Sequence, residues 1–177
     1  IAGFSHTHLS GTGAGDLYDI SFMPVVEPVK IADKPLGVHS KFCHDSESAC
    51  AGYYKVTLAD YDIDVELTAT EHCGIQRKEG KVILNLAKAT NWDATKTTDV
   101  EIVDSVTVRG SRFSDGWAKN QKVWFETRFS KPFAEVETDT VGGHVVTFSF
   151  DTHAGEKLVV VTAISGTDAR GAHSNIV

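Results

Sequence analysis

The chain has 177 residues, of which 41% are hydrophobic and 23% charged, enough for one folded domain with a sizeable core. A formal net charge of -7 without any run of Lys or Arg argues against binding to nucleic acid or an anionic membrane, since both require clustered positive charge. No apolar run approaches the ~18 residues of a transmembrane helix, so we predict no membrane span.

The first element is a polar segment, residues 3–16, composed mainly of Gly, Ser, Thr and two histidines. His6 and His8 would lie on the same side of a strand, and such a pair can begin a metal site whose further ligands would come from residues 44–47. The alternative is that both histidines donate hydrogen bonds to backbone or sugar oxygens. The spacing leaves both interpretations open.

The glycine-rich part of this segment, residues 11–15, does not match a phosphate-binding loop. Such a loop leaves a strand and opens a helix, whereas residues 17–24 have strand-forming character and end in proline. Glycine removes side-chain bulk, while Ser, Thr, His and Asp donate and accept hydrogen bonds. The segment therefore suits contact with a polyhydroxyl ligand, and a purely structural turn is the alternative.

Three cysteines follow, Cys43, Cys50 and Cys73, and an odd number cannot all pair within the chain. Cys43 and Cys50 could form a disulfide if their Cα atoms lie within ~7 Å. The expectation is instead that the cysteines are small buried thiols. The polar residues 44–47 between them could form a site, but we expect a solvated loop.

From residue 53 onward, strand-forming segments alternate with turns. In residues 60–70 apolar and polar side chains alternate, with the two-residue period of a strand that has one wet face. Residues 158–164 form a continuous apolar run, typical of a strand buried on both faces. The predicted strands are residues 53–58, 60–70, 81–86, 100–109, 123–130, 133–138, 145–150 and 158–164. Many short strands without interleaved helices predict an all-β, antiparallel sandwich.

The last eleven residues have a different pattern, that of a helix with Thr167 or Asp168 as N-cap. The sequence stops about where this helix would gain its second turn, and isolated helices this short are marginal. The sequence also starts at Ile1 without a secretory leader. We therefore expect processed or truncated ends, a β-sandwich domain in residues 1–166, and the start of a helical linker to a further domain in residues 167–177.

Several aromatic side chains could stack on a sugar ring. Trp124 lies within a predicted strand, so we expect it in the core. Trp117 lies in a predicted turn and is the open candidate for ligand contact. Glu126 and Arg128 alternate with apolar neighbours, which predicts that both lie on a solvent-exposed strand face.

Five ordered motifs give the chain a family resemblance. They are residues 3–13 with 15–16 and 19–20, residues 43–49 with 52–56, residues 67–74 with 76–77, residues 117–118 with 121, and residues 129–133. In this order they resemble the N-terminal domain of glycoside hydrolase family 92, the exo-acting α-mannosidases. The resemblance spans nearly the whole chain.

The resemblance implies a β-sandwich of the galactose-mutarotase or supersandwich type, packed on an (α/α)₆ helical barrel. It implies inverting hydrolysis of mannose-containing glycans, with a general acid, a general base and calcium at the active site. In the family these carboxylates and most calcium ligands belong to the helical domain. We therefore assign no catalytic residue and no metal ligand to this chain, and expect its partners to be the glycan and the helical domain of the same polypeptide.

The loop interpretation and the resemblance together predict a set of substrate-binding residues. They are His6, His8, Ser10, Thr12, Gly13, Gly15, Asp16 and Trp117. We expect this portion to shape the substrate cleft of an enzyme that is secreted, periplasmic or on the cell surface. The alternatives are a stand-alone carbohydrate-binding sandwich without catalysis and, third, a metal-dependent enzyme that uses His6 and His8.

Overall fold

A computed structural model of the chain describes residues 1–7, 17–26, 37–68, 72–76, 80–87, 93–153 and 156–176. These residues form two sheets, and every strand pair in them is antiparallel. The smaller sheet has, in spatial order, β1 (Phe4–Ser5), β2 (Ser21–Val25), β7 (Gly80–Asn85), β12 (Val145–Phe150) and β11 (Glu135–Asp139).

The larger sheet contains the remaining strands of the described residues. In spatial order they are β3 (Ser48–Cys50), β4 (Tyr53–Leu58), β5 (Ile63–Thr68), β6 (His72–Gln76), β13 (Lys157–Ser165), β10 (Gln121–Phe129), β9 (Thr107–Asp115) and β8 (Ala94–Ile102). A short 3₁₀ helix, His44–Ser46, precedes β3, and helix α1, Ala169–Asn175, follows β13.

The two sheets enclose one apolar core, because alternate residues of the facing strands point inward. From the larger sheet, Val56, Val65 and Phe125 are buried, and from the smaller sheet Leu84 and Phe148. Strands β2, β7 and β12 of the smaller sheet are buried along almost their whole length. The predicted antiparallel β-sandwich is confirmed.

Most predicted strands occur close to their predicted bounds. The predictions for residues 53–58 and 145–150 coincide with β4 and β12. No residue of the run 158–164 is exposed, as expected for a strand covered on both faces. The strand predicted from residue 60 begins only at Ile63, because Tyr61 and Asp62 belong to a turn in which the amide of Tyr61 donates to the carbonyl of Leu58.

The strand predicted over residues 100–109 is wrong. This stretch spans the end of β8, a tight turn and the start of β9. The carboxylate of Asp104 accepts a hydrogen bond from the amide of Val106 at 2.7 Å, and the amide of Val103 donates to the carbonyl of Thr107 at 3.0 Å. Because valines stand on both sides of the turn, the apolar pattern continues through it and predicts one strand, although the Asp-Ser pair between them favours a turn.

The predicted wet face of β10 is also wrong for Glu126, whose exposed fraction is 3%. Helix α1 packs on β13 and β10 and covers it. The Nδ1 atom of His173 on α1 lies 2.9 Å from one carboxylate oxygen of Glu126, and Nη2 of Arg128 donates to the other at 2.9 Å. Arg128 itself remains partly exposed, as predicted.

Helix α1 begins where the sequence predicted. The side chain of Asp168 accepts a hydrogen bond from the amide of Gly171 at 2.7 Å, which confirms Asp168 as N-cap. Ala172 is fully buried against the sheet. That this helix leads to another domain stays a prediction.

The thiols of Cys43 and Cys50 are unpaired and exposed, so the expectation of buried thiols is wrong for both. The side chain of Cys73 lies outside what the structure describes. Among the described residues, no helix has the length and apolar character needed to cross a bilayer.

Candidate functional site

The described residues of the predicted ligand-binding set, His6 and Trp117, lie at one end of the sandwich. Strand β7 ends there with Leu86 following it, β8 begins after Asp93, and β10 begins with Gln121. The buried side chain of Arg112 on β9 reaches Leu86 and Asp93, while Gln121 contacts Asp19, just before β2. We call this the motif end.

At the motif end, the residues that precede and follow residues 8–16, the glycine-rich segment, are held together. The amide of His6 donates to the carbonyl of Asp19, and the amide of Tyr18 donates to the carbonyl of Thr7, each at 3.1 Å. The hydroxyl of Thr7 donates to the Asp19 carboxylate and accepts from the Asp19 amide, both at 2.8 Å. The described residues on either side of residues 8–16, namely 6–7 and 17–20, are therefore held together, and we call them the base.

The returning side of this base has an unusual backbone. Leu17, Tyr18 and Ile20 have positive φ angles of 67°, 98° and 53°. Side chains other than glycine rarely adopt such angles, least of all a β-branched one, and they persist only where surrounding contacts determine them. The hydroxyl of Tyr18 donates to the carbonyl of Gly3 at 3.1 Å, and Ile20 is fully buried.

A buried ionic cluster lies beneath this base. Arg112, Asp19 and Asp93 have exposed fractions of 0%, 0% and 6%. The guanidinium of Arg112 donates through Nη1 to Oδ1 of Asp19 and through Nη2 to Oδ2 of Asp93, the latter at 2.6 Å. It also donates to the hydroxyl of Thr95 at 2.9 Å and to the carbonyl of Leu86 at 3.1 Å. Buried charges are tolerated only with such partners.

Sequence reasoning did not identify Arg112 or Asp93 as part of the site. Inward positions on β9 alternate as Val108, Gly110 and Arg112, but the run Arg-Gly-Ser-Arg at 109–112 has the composition of a solvent-exposed segment. The sequence alone does not distinguish a buried arginine from an exposed one, because the distinction depends on which face of the strand the residue lies on.

The imidazole of His6 is fixed at the edge of the same base. Its Nδ1–H donates to the carbonyl of Ile20 at 2.9 Å, and its ring packs edge-on against Phe22 with centroids 5.7 Å apart. Although His6 is exposed to solvent overall, desolvation by the surrounding chain lowers the pKa of its imidazole, and the hydrogen bond to Ile20 only partly opposes this effect. The ring is therefore neutral at pH 7, and its Nε2, which carries the lone pair, can accept a hydrogen bond.

Trp117 lies in the turn between β9 and β10 and has an exposed fraction of 75%. The turn is ordered by the carboxylate of Asp115, which accepts from the amide of Asn120 at 2.7 Å. Directly after the turn, Gln121 donates to Oδ2 of Asp19 at 2.9 Å. The exposed indole therefore stands at the motif end, where it was predicted to contact a ligand.

The other predicted substrate-binding residues lie outside the described residues. They are His8, Ser10, Thr12, Gly13, Gly15 and Asp16. The structure therefore brings His6 and Trp117 to one end of the sandwich, and the contact of the whole set with a substrate stays a prediction.

Residues 44–47 are solvated, as expected, but His44–Ser46 form a turn of 3₁₀ helix and not an irregular loop. His44 is largely exposed, and its Nδ1 lies 2.5 Å from Oε2 of Glu47. The hydroxyl of Tyr54 donates to Oε1 of Glu47 at 2.5 Å. This bond lowers the pKa of Glu47, and burial together with the same bond raises the pKa of Tyr54 to about 12.

The described residues do not fit a calcium or zinc site. No group of three or more His, Cys, Asp or Glu side chains among them is arranged to hold a metal ion. Calcium requires six to eight oxygen ligands, whereas the oxygens of Asp19 accept from Arg112, Thr7 and Gln121. Oδ2 of Asp93 likewise accepts from Arg112. His8, the other half of the proposed His pair, lies outside the described residues.

Comparison with known proteins confirms the family resemblance. Residues 1–165 match the family model of the glycosyl hydrolase family 92 N-terminal domain. The family GH92 α-mannosidase BT3965 from Bacteroides thetaiotaomicron, solved in complex with mannoimidazole, is 28% identical with a TM-score of 0.82. This match covers 99% of the present chain and 27% of that protein.

Two more distant structures share the fold. The GH92 inverting mannosidase BT2199 from Bacteroides thetaiotaomicron is 22% identical over 89% of the chain and 23% of that protein, with a TM-score of 0.68. The GH92 glycosyl hydrolase ccman5 is 20% identical over 98% of the chain and 27% of that protein, with a TM-score of 0.71. The chain thus spans about a quarter of the length of these proteins. The comparison with curated proteins gave no match.

Proposed function

Because the chain belongs to the family of glycosyl hydrolase family 92 N-terminal domains, we propose that it is the N-terminal domain of an inverting exo-α-mannosidase that acts on mannose-containing glycans. The observation that carries this proposal is the family match over residues 1–165, together with an overlapping fold in an α-mannosidase that binds mannoimidazole. In this proposal the motif end lines the substrate cleft.

The chain is proposed to support catalysis without performing the proton transfers. An inverting glycosidase needs one carboxylic acid and one carboxylate about 6.5–9.5 Å apart, with water between them. At the motif end, Asp19 and Asp93 are buried and bound to Arg112, so neither is placed to exchange a proton with a glycan. The acid, the base and the calcium ligands are assigned to a helical domain of the same polypeptide.

Mannose release by the intact protein tests this function. Incubation with a mannose-rich glycan should release mannose that is initially the β-anomer by NMR, because inversion converts the α-linkage. Chelation of calcium should abolish release, and readdition should restore it. Release of the α-anomer would refute inversion, and no release with either fresh or calcium-loaded protein would refute the mannosidase assignment.

A stand-alone sugar-binding sandwich is the second candidate, favoured by the exposed indole of Trp117. The isolated 177-residue chain would then bind mannose-containing glycans by calorimetry, and the intact protein would not hydrolyse them. Binding without hydrolysis selects this candidate.

A glycan substrate is found mainly outside cells, so we propose that the enzyme is secreted, periplasmic or on the cell surface. Cell fractionation with an antibody against this domain tests the location. Confinement to the cytosol would contradict it.

A further inference from the structure

Arg112 connects the glycine-rich segment to the rest of the sandwich. It projects inward from β9 of the larger sheet and is fully buried. Its Nη1 donates to Asp19, at the base of the segment, and its Nε donates to the carbonyl of Leu86 at the end of β7 in the smaller sheet. One side chain thus joins both sheets and the segment base.

Asp19 transmits this anchoring to the backbone. Its Oδ1 accepts from Arg112, and its Oδ2 accepts from the Thr7 hydroxyl at 2.8 Å and from Gln121 Nε2 at 2.9 Å. Its neighbours Tyr18 and Ile20 both have positive φ angles. A strained backbone of this kind needs external contacts to hold it, and the Asp19 carboxylate makes three of them.

Asp93 contacts the same guanidinium but does not hold the segment. Its Oδ2 accepts from Arg112 at 2.6 Å, whereas its buried Oδ1 has no hydrogen-bond partner among the described residues. The two carboxylates are therefore similar in burial and in their bond to Arg112, but the described bonds to the base of the segment come from Asp19.

We propose that Arg112 is a positioning residue which, through Asp19, fixes Thr7 and the backbone of residues 17–20 and so holds the adjacent His6 in place for the glycan. This inference rests on the proposed function, in which His6 at the motif end contacts the substrate. Arg112 touches no reacting atom. Its effect is geometric, and small displacements of positioning groups lower rates strongly.

The isosteric variants Asp19→Asn and Asp93→Asn separate positioning from simple burial of charge. The Asp19 carboxylate accepts hydrogen bonds from Arg112, Thr7 and Gln121. An amide nitrogen in place of either oxygen therefore removes the acceptor of Arg112 or the acceptor shared by Thr7 and Gln121. At Asp93 the amide nitrogen can occupy the place of the unpartnered Oδ1. We expect Asp19→Asn to lower kcat/KM for mannose release about 10- to 100-fold and Asp93→Asn to change it less than about twofold.

The assay is run on the intact protein well below the melting temperature of each variant, with the folded fraction checked by circular dichroism. Arg109→Met is the matched control, since Arg109 lies on the same strand but forms an exposed ion pair with Glu101. Equal losses in both Asn variants, or losses that follow the unfolded fraction, would overturn the proposal. Arg112→Met removes the partner of two buried carboxylates and is expected to unfold, so the Asn pair carries the test.

Hydrogen exchange measures the anchoring independently of activity. The amides of His6, Tyr18 and Asp19 all donate within the base. In the intact protein, Asp19→Asn should accelerate exchange in peptides covering residues 5–20, and Asp93→Asn should leave it unchanged. Unchanged exchange in Asp19→Asn would refute the anchoring.

The variant His6→Ala distinguishes this inference from the proposed function. If it leaves mannose release unchanged, His6 does not contact the substrate and the proposed site fails. If it lowers release while Asp19→Asn does not, the site stands and the positioning role of Arg112 is refuted.

Discussion

Trp117 and His6 show how individual side chains at the motif end differ in what they contribute. The indole of Trp117 is 75% exposed, so it buries little area on folding and contributes little to the stability of the core. The imidazole of His6 is instead held by a backbone carbonyl and an aromatic edge. We expect substitution of Trp117 to affect ligand contact, and protonation of His6 to affect stability.

Trp117→Ala should lower kcat/KM of the intact enzyme about three- to tenfold, because an aromatic contact contributes about 0.5–1.5 kcal/mol beyond its buried area. The melting temperature should change by less than about 2 °C, since exposed substitutions change stability by about 0.5 kcal/mol or less. Val103→Ala is the control, because Val103 is exposed in the β8–β9 turn at the opposite end. Equal effects of both variants on kcat/KM would contradict the assignment of the motif end.

Acid should destabilise the protein through His6. Desolvation lowers the pKa of folded His6 below its unfolded value of about 6.5, so the neutral ring favours the fold above that pH. The effect on stability is small, because the residue is exposed to solvent overall. This contribution is lost as pH falls toward and through the folded pKa. His6→Asn keeps a donor near the Ile20 carbonyl but cannot titrate in this range. Urea unfolding at about pH 7 and about pH 5 should show a smaller loss for the variant than for the wild type, and an equal loss would contradict this role.

At the scale of the element, the β8–β9 hairpin depends on a close approach of strands at Gly110. A Cβ atom there would lie 2.0 Å from the carbonyl oxygen of Asp99 and 3.0 Å from the ring of Phe125. Neither the backbone of β8 nor the buried ring can move away easily. Glycine is therefore required at this inward position of β9.

Gly110→Ala should destabilise the domain by about 1–3 kcal/mol, the usual cost of overpacking a core. Gly166→Ala is the matched control, because no atom lies within 4 Å of a Cβ added there. Denaturant unfolding of both variants measures the difference. A Gly110→Ala protein as stable as the control would contradict the close approach of β8 and Phe125 to Gly110.

Helix α1 is held on the larger sheet by the buried carboxylate of Glu126. Glu126→Gln keeps the shape but weakens the contacts with His173 and Arg128. Because both partners are partly exposed, solvent screens these pairs and the expected loss is about 0.5–1 kcal/mol. Faster hydrogen exchange in residues 169–176, with no change in the exposed control Glu137→Gln, would confirm the contact. Unchanged exchange in the helix would contradict it.

The strands were predictable where apolar side chains alternate or cluster, as in β4, β12 and β13. The β8–β9 hairpin was not, because Val103 and Val106 continue the β-branched pattern through the turn. The burial of Glu126 could not be predicted either, since it depends on a helix that lies far along the sequence. Local sequence patterns specify strands, whereas the pairing register of a strand and the burial of its outer face depend on contacts with residues distant in sequence.

Across the whole molecule, the sequence predicted a set of candidate site residues, of which the structure describes His6 and Trp117, but it did not predict what holds this end of the sandwich together. Family motifs and polar composition identified residues 3–16 and Trp117. In the cluster of Arg112, Asp19 and Asp93, Arg112 and Asp19 are 93 positions apart, and no periodic sequence pattern indicates such a contact. The structure adds this anchor, and with it a physical reason for the position of the segment base.

We propose that the motif end of this domain faces the glycan in the intact protein. Photo-crosslinking of the intact protein with a mannoside that carries a diazirine, followed by peptide mapping, tests this most directly. We expect labelled peptides that contain residues 6–20 or Trp117, with labelling suppressed by excess mannose-rich glycan. Labelling confined to the opposite end, at residues 103–106 or 129–133, or absent from this domain, would contradict it.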